Sequence, residues 1–312
     1  MKLEAYVEKI EKTRRLKTYK VKKTGKKTVL TKIKVKAVLF DIYGTVILTP
    51  MTDWDFYDKH NRGTFAKVAK EFGFDKILKK EGKDCEKFLK KKFFSLVEEM
   101  HKEVKRKRKS IQPEIKMEET WEQIIKEFIG KGYIYDKKKY GNLKELSLKV
   151  CFFFAFCFQT RSQYKGILKT LKQLRKKGLQ VGIMSNAQFF THYEILRQLN
   201  RQTTKKLNSI YDVFDKDITF LSYEIGEGKP SKIIYEIAVK AFKKKGIKPS
   251  EIAVVGNDLL KDCYAARKAG MKCVLWELDK YSINLRRNDK RVKDFKPDAV
   301  VKKAEQLTEI LC

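Results

Sequence analysis

Val35-Lys36-Ala37-Val38-Leu39-Phe40-Asp41-Ile42-Tyr43-Gly44-Thr45 is the stretch on which the fold turns. A short apolar run ends at a carboxylate, and a glycine three residues later permits a tight turn. A buried strand tipped by Asp41 would present that carboxylate to the crevice where open parallel sheets take their ligands. Downstream of residue 165 the same kind of segment recurs. A helix from Ile167 to Lys177 closes at Gly178 and leads into Gln180-Val181-Gly182-Ile183-Met184. Ile218–Leu221 reads as a strand before a helix that starts near Pro230. Ile252–Gly256, a helix Leu259–Ala269 closed by Gly270, Cys273–Trp276 and Ala299–Val301 complete the series. Strands alternating with helices predict an α/β chain with a doubly wound, Rossmann-like parallel sheet.

Between residues 50 and 165 the pattern is helical. Phe65, Val68, Ala69 and Phe72, and later Trp121, Ile124, Ile125 and Phe128, fall on one face, with Lys and Glu between them. The reading is therefore a core of 35–49 and 166–312 interrupted by a helical insert, 50–165, over the carboxyl ends of the strands. The aromatic run Phe152–Phe158 reads as a buried helix joining the two. Residues 1–34 form a basic extension. Over residues 1–36 fourteen Lys/Arg face three Asp/Glu, a net of +11. The first part of this extension reads as a short helix (Leu3, Val7, Ile10). The extension is either an arm for polyanions or, the preferred reading, a hairpin on the sheet edge, because Tyr19, Val21, Val29, Ile33 and Val35 all fall at odd positions.

The 312 residues suffice for a substantial core. Apolar residues at 42% and charged residues at 36% exclude a collagen, a disulfide mini-protein or a low-complexity body. The longest strongly apolar run, Val150–Phe158, falls short of the ~18 residues that cross a bilayer, and no secretory signal is expected. Six scattered Cys without a CxxC pair suggest reduced thiols and a cytoplasmic protein. The formal charge is +33, carried by 59 Lys and only 13 Arg. Lys is a mobile point charge, whereas nucleic-acid surfaces gather Arg and aromatics. A solvated Lys-rich surface is the preferred reading, with nucleic acid possible but not favoured. The run Lys105–Lys109 belongs to the same surface. Such a field would still concentrate small anions.

Four segments, each after a predicted strand, carry the chemistry: Asp41-Ile42-Tyr43-Gly44-Thr45, Ser185-Asn186, Gly228-Lys229-Pro230 and Gly256-Asn257-Asp258 with Asp262. Asp258 and Asp262 are one helical turn apart. Three Asp and one Lys suit Mg²⁺ with a phosphate, since Mg²⁺ takes one or two carboxylates, waters and phosphate oxygens. One carboxylate is then left to act as nucleophile. The sequence Gly226-Glu227-Gly228-Lys229 lacks the phosphate-loop spacing, and Pro230 fills its hydroxyl slot.

These four motifs, in this order, resemble those of the haloacid dehalogenase (HAD) superfamily of aspartate-nucleophile hydrolases, over about residues 35–302. The insert looks like that superfamily's helical C1-type cap. Ser185–Thr191, Val255–Asp258 and Ser282–Arg286 are similar to an uncharacterised branch with the DxYGT pattern. The resemblance implies Asp41 as the nucleophile. It implies a Mg²⁺ site of Asp41, the Tyr43 carbonyl and Asp258, supported by Asp262. It places Thr45, Ser185, Asn186 and Lys229 on the substrate's phosphoryl group, with Lys229 also paired to Asp41. Ser282 and Arg286 would close the site or bind an anion.

One position departs. HAD phosphatases carry a second Asp two residues after the nucleophile, as acid and then base; this chain carries Tyr43, which titrates near 10 and is a poor base at neutral pH. Haloacid dehalogenases have Tyr there too, but lack the acidic fourth motif. The paired Asp258 and Asp262 therefore favour a Mg²⁺-dependent phosphatase acting on a small phosphorylated compound. A dehalogenase-like or phosphonatase-like hydrolase is the enzymatic alternative. A degenerate scaffold binding nucleic acid is the other. Loss of one acid/base group costs ~10²–10⁴ in rate. A preference for good leaving groups, or a long-lived phosphoenzyme, is expected. His192 or Gln188 is expected to position the water.

Overall fold

The computed structural model describes residues 1–16, 18–25, 28–50, 63–108, 110–162 and 164–312. Position 109 of the basic run and positions 51–62 and 163 of the insert lie outside the described residues, as do 17, 26 and 27 of the extension. The chain forms two units. One contains the sheet: Tyr19–Thr52, Ile111–Glu114 and Arg161–Cys312.

The sheet is parallel throughout. It has six strands, β1 (Ala37–Phe40), β2 (Gln180–Ser185), β3 (Thr219–Leu221), β4 (Ile252–Gly256), β5 (Lys272–Trp276) and β6 (Ala299–Val301). Their order is β3-β2-β1-β4-β5-β6. The expected doubly wound sheet is thus present, and β1 lies at its centre, paired with β2 and β4. The order reverses at β1, which puts Asp41 at the switch point where such sheets bind ligands. Each strand reads as a continuous apolar run because both faces are covered. Val38 and Phe40 pack on one side with Val181, Ile183 and Val255. Ala37 and Leu39 pack on the other with Met184 and Val254.

The second unit, Met1–Thr18, Asp53–Ser110 and Ile115–Thr160, is built from helices. Its longest, Cys85–Arg108, runs 24 residues. Helix Leu143–Phe158 starts with a reciprocal cap between Asn142 and Glu145 and buries most of its aromatic run. Phe154 meets Phe65, Phe93 and Trp121 with ring centroids 5.0–5.4 Å apart. Among the described residues no helix is long and apolar enough to cross a membrane.

The start of the extension forms the expected short helix, while its remaining described residues differ from the expected hairpin. Leu3–Thr13 is a helix that buries Tyr6, Val7 and Ile10, and it belongs to the helical unit. The following residues touch the sheet unit through single bridges: Lys23 to Asp279, Val29 to Val300 and Ile33 to Leu311. Ile33 and Val35 are buried and Tyr19 and Val21 partly so, whereas Val29 is exposed. Alternation at odd positions does not say which strand lies beside the chain.

Candidate active site

Asp41 follows β1, and its main-chain N–H donates to the Val255 carbonyl at 2.9 Å. Gly44 has φ +93°, and a Cβ there would lie 2.3 Å from Asn257 Nδ2. Only glycine lets the turn pass so close to the loop after β4. The Asp41 carboxylate is buried between two donors on one oxygen. Lys229 Nζ reaches Oδ1 at 2.7 Å, and Ser185 Oγ reaches the same oxygen at 3.1 Å. Thr45 Oγ1 lies 3.3 Å from Oδ2 and 3.2 Å from Asn257 Oδ1.

Lys229 is 2% exposed. It also donates to Asp262 Oδ1 at 2.5 Å. Burial alone would lower its pKa, but Asp262 and Asp41 outweigh that and hold the ammonium charged, its pKa raised. Asp262 completes its contacts by accepting the Asp258 N–H at 2.9 Å. It reaches this place because residue 256 is glycine: a Cβ there would lie 2.2 Å from Asp262 Cγ. The Asn186 side chain clamps the Lys229 main chain. Its Oδ1 accepts from Lys229 N–H at 2.7 Å and its Nδ2 donates to Lys229 O at 3.0 Å.

Asp258 lies just ahead of the helical turn that carries Asp262. It is the capping residue of the turn that follows, with extended backbone, and its Oδ1 accepts from the N–H groups of Leu260 and Lys261 at 3.0 and 2.8 Å. A carboxylate at a helix start is drawn to those unsatisfied donors. Its Oδ2 takes two bonds from Arg286, Nε at 2.9 Å and Nη2 at 2.7 Å. Arg286 is held there in the left-handed region, φ 47°, by a loop stitched to the fourth motif. In that loop Asn257 Nδ2 donates to Ser282 O, and Asn284 N donates to Asn257 O at 3.0 Å. Ser282 Oγ donates to Thr49 O at 3.0 Å. Asn257, not singled out from the sequence, is therefore the side chain of this motif that meets Thr45 beside Asp41.

Tyr43 turns its phenol toward Glu194, donating to Oε2 at 2.6 Å and meeting Thr191 Oγ1 at 2.9 Å. Burial, reinforced by Glu194, pushes its pKa far above the ordinary phenol value. Glu194 in turn pairs with buried Arg161. His192 pairs with the Tyr211 hydroxyl at 3.1 Å, and burial lowers its pKa. Gln188 donates from Nε2 to Glu114 at 3.1 Å. Neither Glu114 nor Glu194 is legible as a site residue in the sequence, since each lies far along the chain from its partners.

A central strand tipped by a carboxylate, with a lysine and a hydroxyl from neighbouring loops closing on one of its oxygens, defines an aspartate-centred hydrolase. A family model for haloacid dehalogenase-like hydrolases matches residues 35–270, and the chain belongs to that family. Among characterised proteins it is similar to the glyceraldehyde 3-phosphate phosphatase of Methanopyrus kandleri, 33% identical over 135 residues, which are 43% of this chain and 52% of that protein. The enzyme of the same description from Pyrococcus furiosus is 31% identical over 146 residues, 47% of this chain and 53% of that protein. The chain thus spans about half the length of these curated relatives. In fold it resembles the 2-haloacid dehalogenase of Pseudomonas syringae pv. tomato, with TM-score 0.54 and 18% identity over 88% of this chain and 97% of that one.

Proposed function

We propose that the protein hydrolyses a small phosphorylated compound through a phosphorylated Asp41. The observation that carries this reading is the Asp41 carboxylate held by Lys229 and Ser185 on one oxygen at the switch point of the sheet. In this reading Lys229 and Ser185 hold phosphoryl oxygens, and Lys229 offsets the charge that builds up when a phosphate joins two carboxylates. Asn186 sets the position of Lys229 rather than touching substrate. Thr45 orients the second oxygen of Asp41.

The donors present suit Mg²⁺. They are hard carboxylate and carbonyl oxygens, the donor type of a cation that keeps several waters and borrows phosphate oxygens. Asp41 and the Tyr43 carbonyl would hold it, with Asn257 or Asp258 from the fourth motif and Asp262 behind. Bound there, Mg²⁺ would neutralise phosphate charge. Residues 50–165 are read as the helical cap domain of such a hydrolase. A cytoplasmic setting accords with six free thiols.

A screen of phosphorylated metabolites with Mg²⁺, beginning with glyceraldehyde 3-phosphate, tests the reading when run beside Asp41→Asn. Release of inorganic phosphate should fall by at least about 10³ in that variant, as expected for loss of a nucleophile. Equal rates in both proteins, or chloride release from haloacids without Mg²⁺, would discard it.

A further inference from the structure

Position 43 carries a phenol turned away from Asp41, so the site has no carboxylate where the second Asp of related hydrolases stands. The structure holds another candidate. At Ile111–Glu114 the chain leaves the helical unit and joins the sheet unit for four residues. This segment is pinned to the loop that carries Lys229. Gly228 N–H donates to the Gln112 carbonyl at 2.9 Å, and Glu114 N–H donates to the Gly226 carbonyl at 3.2 Å. The N–H groups of Ile111 and Gln112 both reach Glu227 Oε1, at 3.0 and 2.8 Å.

The Glu114 side chain then faces the loop after Ser185. Its Oε1 accepts from Gln188 Nε2 at 3.1 Å and its Oε2 from Ser222 Oγ at 2.8 Å. The Ser222 hydroxyl itself accepts the Ala187 N–H at 2.9 Å. From Gln188 the path continues: its N–H meets Thr191 Oγ1 at 3.1 Å, and that hydroxyl meets Tyr43. Glu114 thus adjoins both loops that supply the groups on Asp41 Oδ1. These two donors fix its direction. Main-chain bonds already anchor the segment, so a charged side chain is not needed for that purpose.

We propose that Glu114 is the carboxylate of the hydrolytic step, with Gln188 holding the water beside it; this rests on the phospho-Asp41 reading. The water oxygen forms a bond to phosphorus as the bond from phosphorus to the Asp41 oxygen breaks. The electron pair of that bond returns to the Asp41 carboxylate. The water proton passes to Glu114, which later releases it to solvent, and inorganic phosphate departs. Glu114 is assigned to this second step alone, so the leaving group of the first departs without a proton from it, and aryl and acyl phosphates outpace alkyl esters.

The test uses the full chain with Mg²⁺ and p-nitrophenyl phosphate, comparing Glu114→Gln, Glu114→Asp and Asp41→Asn by rapid quench and intact mass. In Glu114→Gln the first-turnover release of nitrophenolate should stay within about threefold of the parent, while steady-state turnover falls about 10²–10⁴-fold. Phosphorylated protein should accumulate, and hydroxylamine should speed its loss. Glu114→Asp should recover part of the turnover. A steady-state rate within about threefold of the parent, with no phosphoprotein, would overturn the role, and so would a burst and a steady state that fall together with a raised KM. Turnover by Asp41→Asn would remove the underlying reading and this role with it, a result distinct from an inactive Asp41→Asn beside an unaffected Glu114→Gln.

Discussion

His192 lies seven residues beyond Ser185, close enough in sequence to look like a water-positioning group. In the structure its imidazole is spent on Tyr211, and burial keeps it neutral at pH 7. His192→Ala should therefore leave the steady-state rate within about twofold of the parent, a ratio that steady-state phosphate release measures directly; a tenfold loss would return it to the site. Asp258 and Asp262 teach the same lesson. Spacing of four places two side chains on one face only inside a regular helix. Asp258 precedes the helix and caps it, and its carboxylate is held by the turn's N–H groups and by Arg286. Residue types at strand tips were readable; the direction in which each side chain turns depends on partners such as Arg286, Glu194 and Glu114 that no local pattern announces.

At the scale of elements, the strands were the readable part. β1, β2, β4 and β5 are apolar runs bounded by polar residues or glycine, as expected of strands covered on both faces. Beyond its first helix the extension was not readable, because alternation is shared by a hairpin and by a segment that touches an edge at isolated points. The loop after β4 depends on a missing side chain. In Gly256→Ala the added methyl meets Asp262 at 2.2 Å, so that carboxylate must move and Lys229 loses a partner. Overpacking of this kind costs about 1–3 kcal/mol. Calorimetry should register that loss with the far-ultraviolet circular dichroism unchanged, and turnover should drop by at least about tenfold. An active, equally stable variant would contradict the placement of Asp262.

For the whole molecule, the excess of 33 positive charges acts on any phosphorylated substrate before contact. Charge of one sign raises encounter rates and is screened by salt. kcat/KM for a phosphate dianion should fall about fivefold or more between roughly 20 and 500 mM KCl while kcat holds; a flat profile would show that the lysines serve solubility alone. Composition revealed this field but not its distribution.

Helix Leu3–Thr13 has a consequence for handling the protein. Tyr6 lies against Phe72, and Arg14 sits over the Phe153 ring and pairs with Glu71. A shortened chain beginning at residue 19, the natural choice for someone trimming a lysine-rich tail, would strip the wrapping from those aromatic rings. It would leave a sticky surface, so the tail that looks dispensable on paper doubles as a built-in safeguard against clumping.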